Sequence, residues 1–101
     1  MKLIVSDQAE ADIEEIGDWI AKDNPERAVA FTRALRERCA NLTTFPLRFP
    51  LVLRHEHSGI RRRPYGDYLI FYKVSTNSVE ILHVLHGARD YERLLFPDEE
   101  H

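Results

Sequence analysis

The chain has 101 residues, of which 44% are hydrophobic and 31% charged, with a single cysteine, Cys39. That length suits one domain able to bury its own core, and that balance excludes a disordered chain. One cysteine excludes an intramolecular disulfide and a thiolate-rich zinc site, and no apolar run approaches the ~20 residues of a membrane span. The N-terminus carries one lysine and then a strand-like pattern instead of a leader, so a cytoplasmic protein is expected.

The net charge of −3 conceals a segregation. Residues 7–26 carry eight acids against one lysine, residues 27–63 nine arginines against two acids, and residues 64–101 seven acids against three bases. The arginine-rich third either draws a nucleic acid or an acidic partner, or is a set of solvated helix faces.

Lys2-Leu3-Ile4-Val5-Ser6 is short, apolar and β-branched, which predicts a buried strand. Asp7 stands three residues before Glu10, a capping-box spacing with Asp in the capping position. Ala9, Ile13, Ile16 and Ile20 then mark one helix face, with Asp12, Glu14, Glu15 and Asp18 on the other sides. Asn24-Pro25 stops this helix and starts another, because Asn caps well and Pro is tolerated at the first helical position. Ala28, Phe31, Leu35, Cys39, Leu42 and Phe45 form the second stripe, ended by Pro46. Two helices joined this closely form a hairpin.

Residues 46–58 read as a loop with two prolines and a His55-Glu56-His57 triplet. Gly59 to Arg63 reads as a strand with a charged face, Tyr65-Gly66-Asp67 as a turn, and Tyr68 to Val74 as a strand. Ser75 to Ser78 reads as a hairpin loop, and Val79 to Leu85 as a central strand, apolar almost throughout and broken by Gly87. Asp90 to Leu95 is a short helix, and Pro97 to His101 an acidic tail that frays. The expectation is an α+β fold. A two-helix hairpin packs on one face of a mostly antiparallel four-stranded sheet (β-α-α-β-β-β, with a short C-terminal helix), and the other face is open or meets a partner.

Strand alternation puts Arg61 and Arg63 on one face and Arg62 on the other. Two readings stand: a phosphate or carboxylate clamp on the open sheet face, or an edge strand protected by charge. His55 and His57 lack a third ligand of matching type nearby and read as solvated loop residues. His83 and His86 fall on opposite strand faces and cannot share an ion without a bulge. His86, beside Gly87, is placed to cap backbone groups or touch a ligand. Cys39 reads as a small core residue and Tyr91 as a packing residue. No Ser-His-Asp set, glycine-rich phosphate loop or paired-acid site is visible, and no metal or cofactor is expected.

Gly59-Ile60-Arg61, Tyr68-Leu69-Ile70-Phe71-Tyr72-Lys73-Val74 and Val79 to Asp90 together resemble the RelE/ParE superfamily of type II toxins. Val84-Leu85-His86-Gly87-Ala88-Arg89-Asp90 looks like the ParE-type ending, and Ala9-x-x-Asp12-Ile13-x-x-Ile16 with Trp19-Ile20 looks like the family's first helix. The resemblance implies one toxin domain over residues 1–96, with residues 97–101 as an acidic C-terminal tail. It further implies a toxin encoded beside its antitoxin and used in plasmid stabilisation.

ParE-type toxins poison DNA gyrase. RelE-type relatives cut mRNA on the ribosome, using Lys or Arg from the sheet and a Tyr or His near the C-terminus. This chain has sheet arginines, His83, His86 and Tyr91, yet its ending is the ParE form and Lys73 is the only lysine after Lys22. A gyrase inhibitor that acts by binding, with no catalytic residue, is therefore the leading expectation. A ribosome-dependent endoribonuclease and an inactive antitoxin-binding module are the alternatives. Arg61, Arg63, His86, Arg89 and Asp90 are the expected contacts for target or antitoxin. The expected partners are gyrase and an antitoxin segment that folds on binding, without a membrane, a cofactor, or direct sequence-specific DNA binding by this chain.

Overall fold

The computed structural model describes residues 1–99; residues 100 and 101 of the expected tail lie outside the described residues. The chain runs β1 (Lys2–Val5), α1 (Asp7–Ala21), α2 (Pro25–Asn41), β2 (Ile60–Tyr65), β3 (Tyr68–Val74), β4 (Ser78–His86) and α3 (Tyr91–Leu95). The strands form one sheet in the order β1-β4-β3-β2. β2, β3 and β4 are antiparallel, and β1 lies parallel to β4 with Lys2 opposite Ser78 and Val5 opposite Ile81. Short turns suffice for the antiparallel pairs, while the parallel pair requires a long crossover, here supplied by both helices and the β2–β3 hairpin. Gly66, at φ +57°, makes the tight β2–β3 turn, a backbone conformation that costs glycine nothing.

Ala9, Ile13 and Ile16 from α1 and Leu35, Cys39 and Leu42 from the second helix and its cap pack on Ile70, Tyr72, Val79, Ile81 and Val84. Ile20 and Phe31 are only partly buried around this core, and Phe45 is 68% exposed. The second stripe therefore ends earlier than its spacing suggests. α2 stops at Asn41, and Leu42, Thr43 and Thr44 wind out through backbone bonds to Cys39, Ala40 and Asn41 that carry Phe45 into solvent.

Four further expectations are corrected. The cap of α1 is Ser6, whose Oγ accepts from the Ala9 N–H at 3.0 Å; Asp7 is already helical, and Glu10 pairs with Arg36 instead of closing a capping box. Asp12 is buried instead of solvated. The second face of the sheet is not open, because Val52, Leu69, Phe71, Leu85 and Phe96 form a smaller core there, flanked by Ile60, Tyr91 and Leu95. The chain's own loop and C-terminal segment thus cover it. Glu99 is anchored to His57 at 2.8 Å, so the described part of the tail is docked.

A bulge explains the position of Asp12. Tyr72 pairs with Ile81 but Phe71 pairs with His83, leaving Leu82 as an extra residue in β4. β1 has ended at this level, so the outer edge of β4 needs other partners. The Ser6 Oγ donates to the Leu82 carbonyl at 3.0 Å, and Asp12 accepts the Val84 N–H at 3.0 Å.

Candidate functional site

β4 leaves the sheet through His86-Gly87-Ala88-Arg89-Asp90. The Gly87 N–H donates to the Asp67 carbonyl at 2.8 Å, which ties this exit to the β2–β3 turn. His86 is exposed; its Nδ1 accepts the Ala88 N–H at 3.1 Å, and its ring meets the Tyr68 ring edge-on at 5.3 Å. A neutral ring bonded in this way carries its proton on Nε2. Asp90 precedes α3 but makes no capping bond; its carboxylate instead takes the Arg93 Nε at 2.9 Å, in a pair too exposed to add much stability.

His86 and Arg89 open onto a cleft of about 500 Å³ between the end of β4 and α1, lined also by Glu15, Trp19, Lys22 and Tyr68. Trp19 is 66% exposed, and the Lys22 ammonium lies 5.1 Å from its ring centre. The cleft therefore offers an aromatic wall with charges of both signs, the composition of a surface that reads another molecule. Among the described residues no group of three or more His, Cys, Asp or Glu side chains is placed to hold a metal ion.

The sheet arginines lie elsewhere. Arg61 stands opposite Tyr72 and Arg63 opposite Ile70, and both of those partners face the helices. Arg61 and Arg63 are thus on the helix side of β2, not on an open sheet face. The Arg61 Nη1 donates to the carbonyls of Phe49 at 2.7 Å and Leu47 at 3.4 Å. The Arg63 guanidinium lies 4.8 Å from the Phe49 ring centre, with Nη1 donating to the Pro64 carbonyl at 3.3 Å. Burial lowers the Arg63 pKa, and the charges of Arg38 and Arg48 lower it further.

Of the remaining candidates, His83 touches the cleft only through Asp12, which lines it, and Tyr91 and His55 lie outside both regions. His83 donates from Nδ1 to Asp12 Oδ2 at 2.8 Å, and the other Asp12 oxygen takes the Gln8 Nε2 at 2.9 Å. Tyr91 packs on Phe71 at 5.0 Å, on the sheet face away from the helices. His55 is buried, against its reading as a solvated loop residue. It donates from Nε2 to Glu92 at 2.9 Å, pairs through Nδ1 with Glu99, and stacks on Phe96 at 3.9 Å. The Glu92 hydrogen bond raises the His55 pKa, burial opposes it, and Glu99 raises it again. Burial pushes the Cys39 thiol up to about 11. Arg61, Arg63, His83, His86 and Tyr91 therefore do not converge on one reacting centre.

Sequence reading singled out His86 and Arg89 but gave no site role to Lys22, Tyr68, Arg38 or Arg48. One signal was available: Trp19 falls off the Ala9-Ile13-Ile16-Ile20 stripe, and a tryptophan outside a core stripe marks a contact surface.

Comparison with known proteins identifies the family. The family model described as the ParE toxin of the type II toxin-antitoxin system parDE matches residues 3–91. No curated protein sequence matches the chain. The chromosomal ParDE toxin-antitoxin system of P. aeruginosa contains a chain similar at 20% identity and a TM-score of 0.72, over 85% of this chain and 95% of that one. The RelBE2 toxin-antitoxin complex of Mycobacterium tuberculosis contains another, at 25% identity and 0.63, over 84% and 95%. Since the matched span runs from β1 to the start of α3 and takes in the His86-to-Asp90 exit, the chain belongs to the ParE toxins of type II toxin-antitoxin systems, within the RelE/ParE superfamily.

Proposed function

We propose that this toxin inhibits DNA gyrase by binding it, without chemistry of its own, and that a cognate antitoxin segment neutralises it by folding on its surface. The observation that carries this reading is the dispersal of the groups a nuclease needs. Cleavage by a 2′-hydroxyl requires a base and charge-settling donors within hydrogen-bond reach of one phosphate. Here His83 is bonded to Asp12, Arg61 to loop carbonyls, and Tyr91 is packed on the far face. The exposed cleft with His86, Arg89 and Trp19 is the surface this reading assigns to the target. The antitoxin assignment draws on the family and on the toxin-antitoxin assemblies in which both similar structures occur.

A supercoiling assay with purified gyrase tests the activity. Inhibition by the free, folded toxin, weakened by Arg89→Ala, is expected; full gyrase activity in excess toxin refutes it. The likeness to the RelBE2 complex favours the ribosome-dependent nuclease as the second reading. Transcript cleavage in a translating extract that disappears on His86→Ala would establish that reading in its place. Copurification with the product of the neighbouring gene tests the partner, and no complex at micromolar concentration removes it.

A further inference from the structure

A second group of cations gathers away from the cleft, where the last turn of α2 meets β2 and the loop that follows the helix. The Arg38 guanidinium lies 5.3 Å from the Tyr65 ring centre, and those of Arg48 and Arg63 lie 5.5 and 4.8 Å from that of Phe49. Arg61 reaches the Phe49 carbonyl beside them. Among the described residues none of these four arginines is paired with a carboxylate, since every ion pair uses other side chains. Cations gathered on one surface without a counter-ion repel one another, and a bound anion relieves that repulsion.

The neighbouring surface is apolar. Phe45 and Leu47 are 68% and 64% exposed, and a shallow groove of about 550 Å³ runs along Thr44, Phe45, Pro46, Leu47 and Arg48. Exposed apolar side chains of this size beside an uncompensated charge cluster mark a contact surface.

We propose that this face is the docking site for an acidic, apolar peptide segment of the neutralising partner, with carboxylates on Arg38, Arg48, Arg61 and Arg63 and an apolar side chain on Phe45 and Leu47. The proposal rests on the reading of the chain as a toxin that a partner neutralises. A nucleic-acid backbone would also satisfy guanidinium groups, but two features favour the peptide. A base stacks on Phe45 but finds no such face on Leu47, whereas an aliphatic side chain packs on both, and residues 7–26, which span α1 and the turn into α2, carry eight acids against one lysine. Those acids repel a long polyanion more than a short segment.

Fluorescence anisotropy on the full chain tests this with three labelled probes: a peptide alternating Glu and Leu, the same peptide with Gln for Glu, and an oligothymidylate of equal length. The Glu–Leu peptide is expected to bind most tightly and to weaken with added salt. Replacing Arg38 and Arg48 together by Gln is expected to weaken it by about tenfold or more, because each loses charge-assisted contacts. The side chains of these two arginines donate no hydrogen bond among the described residues, and circular dichroism reports whether the variant is folded. If the pair destabilises the fold, Arg48→Gln alone, at an exposed position, decides with the same direction of change.

Equal binding of the Glu and Gln peptides, tighter binding of the oligothymidylate, or unchanged affinity in a folded variant overturns the proposal. Failure of the underlying reading shows itself separately, as the absence of any copurifying partner. Loss of gyrase inhibition by the wild-type chain bears on the target alone.

Discussion

Replacing Asp12 by Ala tests the tie between α1 and the bulged strand β4. Asp12 is 7% exposed, and its Oδ2 accepts both the Val84 N–H at 3.0 Å and the His83 Nδ1 at 2.8 Å. The Val84 N–H lies beyond the end of β1, so no strand takes over when the carboxylate is removed. A buried donor left without a partner costs ~1–3 kcal/mol, and loss of the partly solvated His83 bond adds about 1 kcal/mol. The expected loss is therefore about 3 kcal/mol, a large share of the ~5–15 kcal/mol that holds a domain together. For a chain of this length it lowers Tm by ~10–20 °C. Urea denaturation followed by circular dichroism measures it, with the midpoint falling and the slope unchanged. Amide exchange at Val84 should accelerate. Glu15→Ala, an exposed position on the same helix, serves as the control and should stay within ~0.5 kcal/mol. A loss of less than ~1 kcal/mol for Asp12→Ala, or an equal loss for Glu15→Ala, would refute the assignment of Asp12 as the partner of that edge.

Leu35, fully buried between the helices and the sheet, should cost ~2–5 kcal/mol when replaced by Ala, read from the same urea curves. Cys39 is buried with its thiol pushed up to about 11, so a thiol reagent at pH 8 should label it only as fast as the fold opens, and at once in denaturant. His55 gives a pH dependence of definite sign. Its folded pKa is raised above the ordinary 6.5, chiefly by the Glu92 hydrogen bond. The stabilising charge is therefore fully present below pH 6.5 and is lost as pH rises through the higher folded value. Histidine NMR shifts and the exchange rates of residues 91–99 should follow that titration, and His55→Gln should flatten it.

The sequence specified its elements best where one period dominates. β3 matches its expected bounds of Tyr68 to Val74, and the α1 stripe is buried at Ala9, Ile13 and Ile16, because a regular apolar repeat leaves only one way to hide it. Asp12 escaped, since a carboxylate reads as solvent-facing unless a donor across the fold demands it, and the Leu82 bulge that creates the demand has no local signal. The sheet arginines share a face as alternation requires, but of their two readings the clamp set that face in the open, whereas it lies on the helix side of β2, the last strand of the sheet. Alternation tells which residues share a face, and only the pairing with Tyr72 and Ile70 tells which layer covers it. His55 was unreadable for a similar reason: its partners Glu92 and Glu99 are far along the chain. In the candidate site, the sequence pattern places His86 and Arg89 at their turn, whereas the cleft they line depends on Trp19 from α1 and Lys22 at its cap, which no short-range pattern connects to them.

The position of Arg61 bears on how any arginine in this chain is assigned a role. Its Nη1 donates to the Leu47 and Phe49 carbonyls of one loop, while the Tyr72 hydroxyl donates to the Pro46 carbonyl at 2.8 Å. The loop that carries Phe45, Leu47 and Arg48 to the surface is thus held from beneath by two side chains opposite one another in the β2–β3 pair. Removing Arg61 takes away a cation and at the same time frees that loop, so lost partner binding in Arg61→Ala would not by itself distinguish recognition from folding. The Arg48 guanidinium makes no hydrogen bond among the described residues and rests on the Phe49 ring; the only backbone bond is from its N–H to the Phe45 carbonyl, which a side-chain substitution keeps. Lost affinity in a folded Arg48 variant therefore reports the charge, and the comparison of the two positions separates the docking surface from the scaffold that presents it.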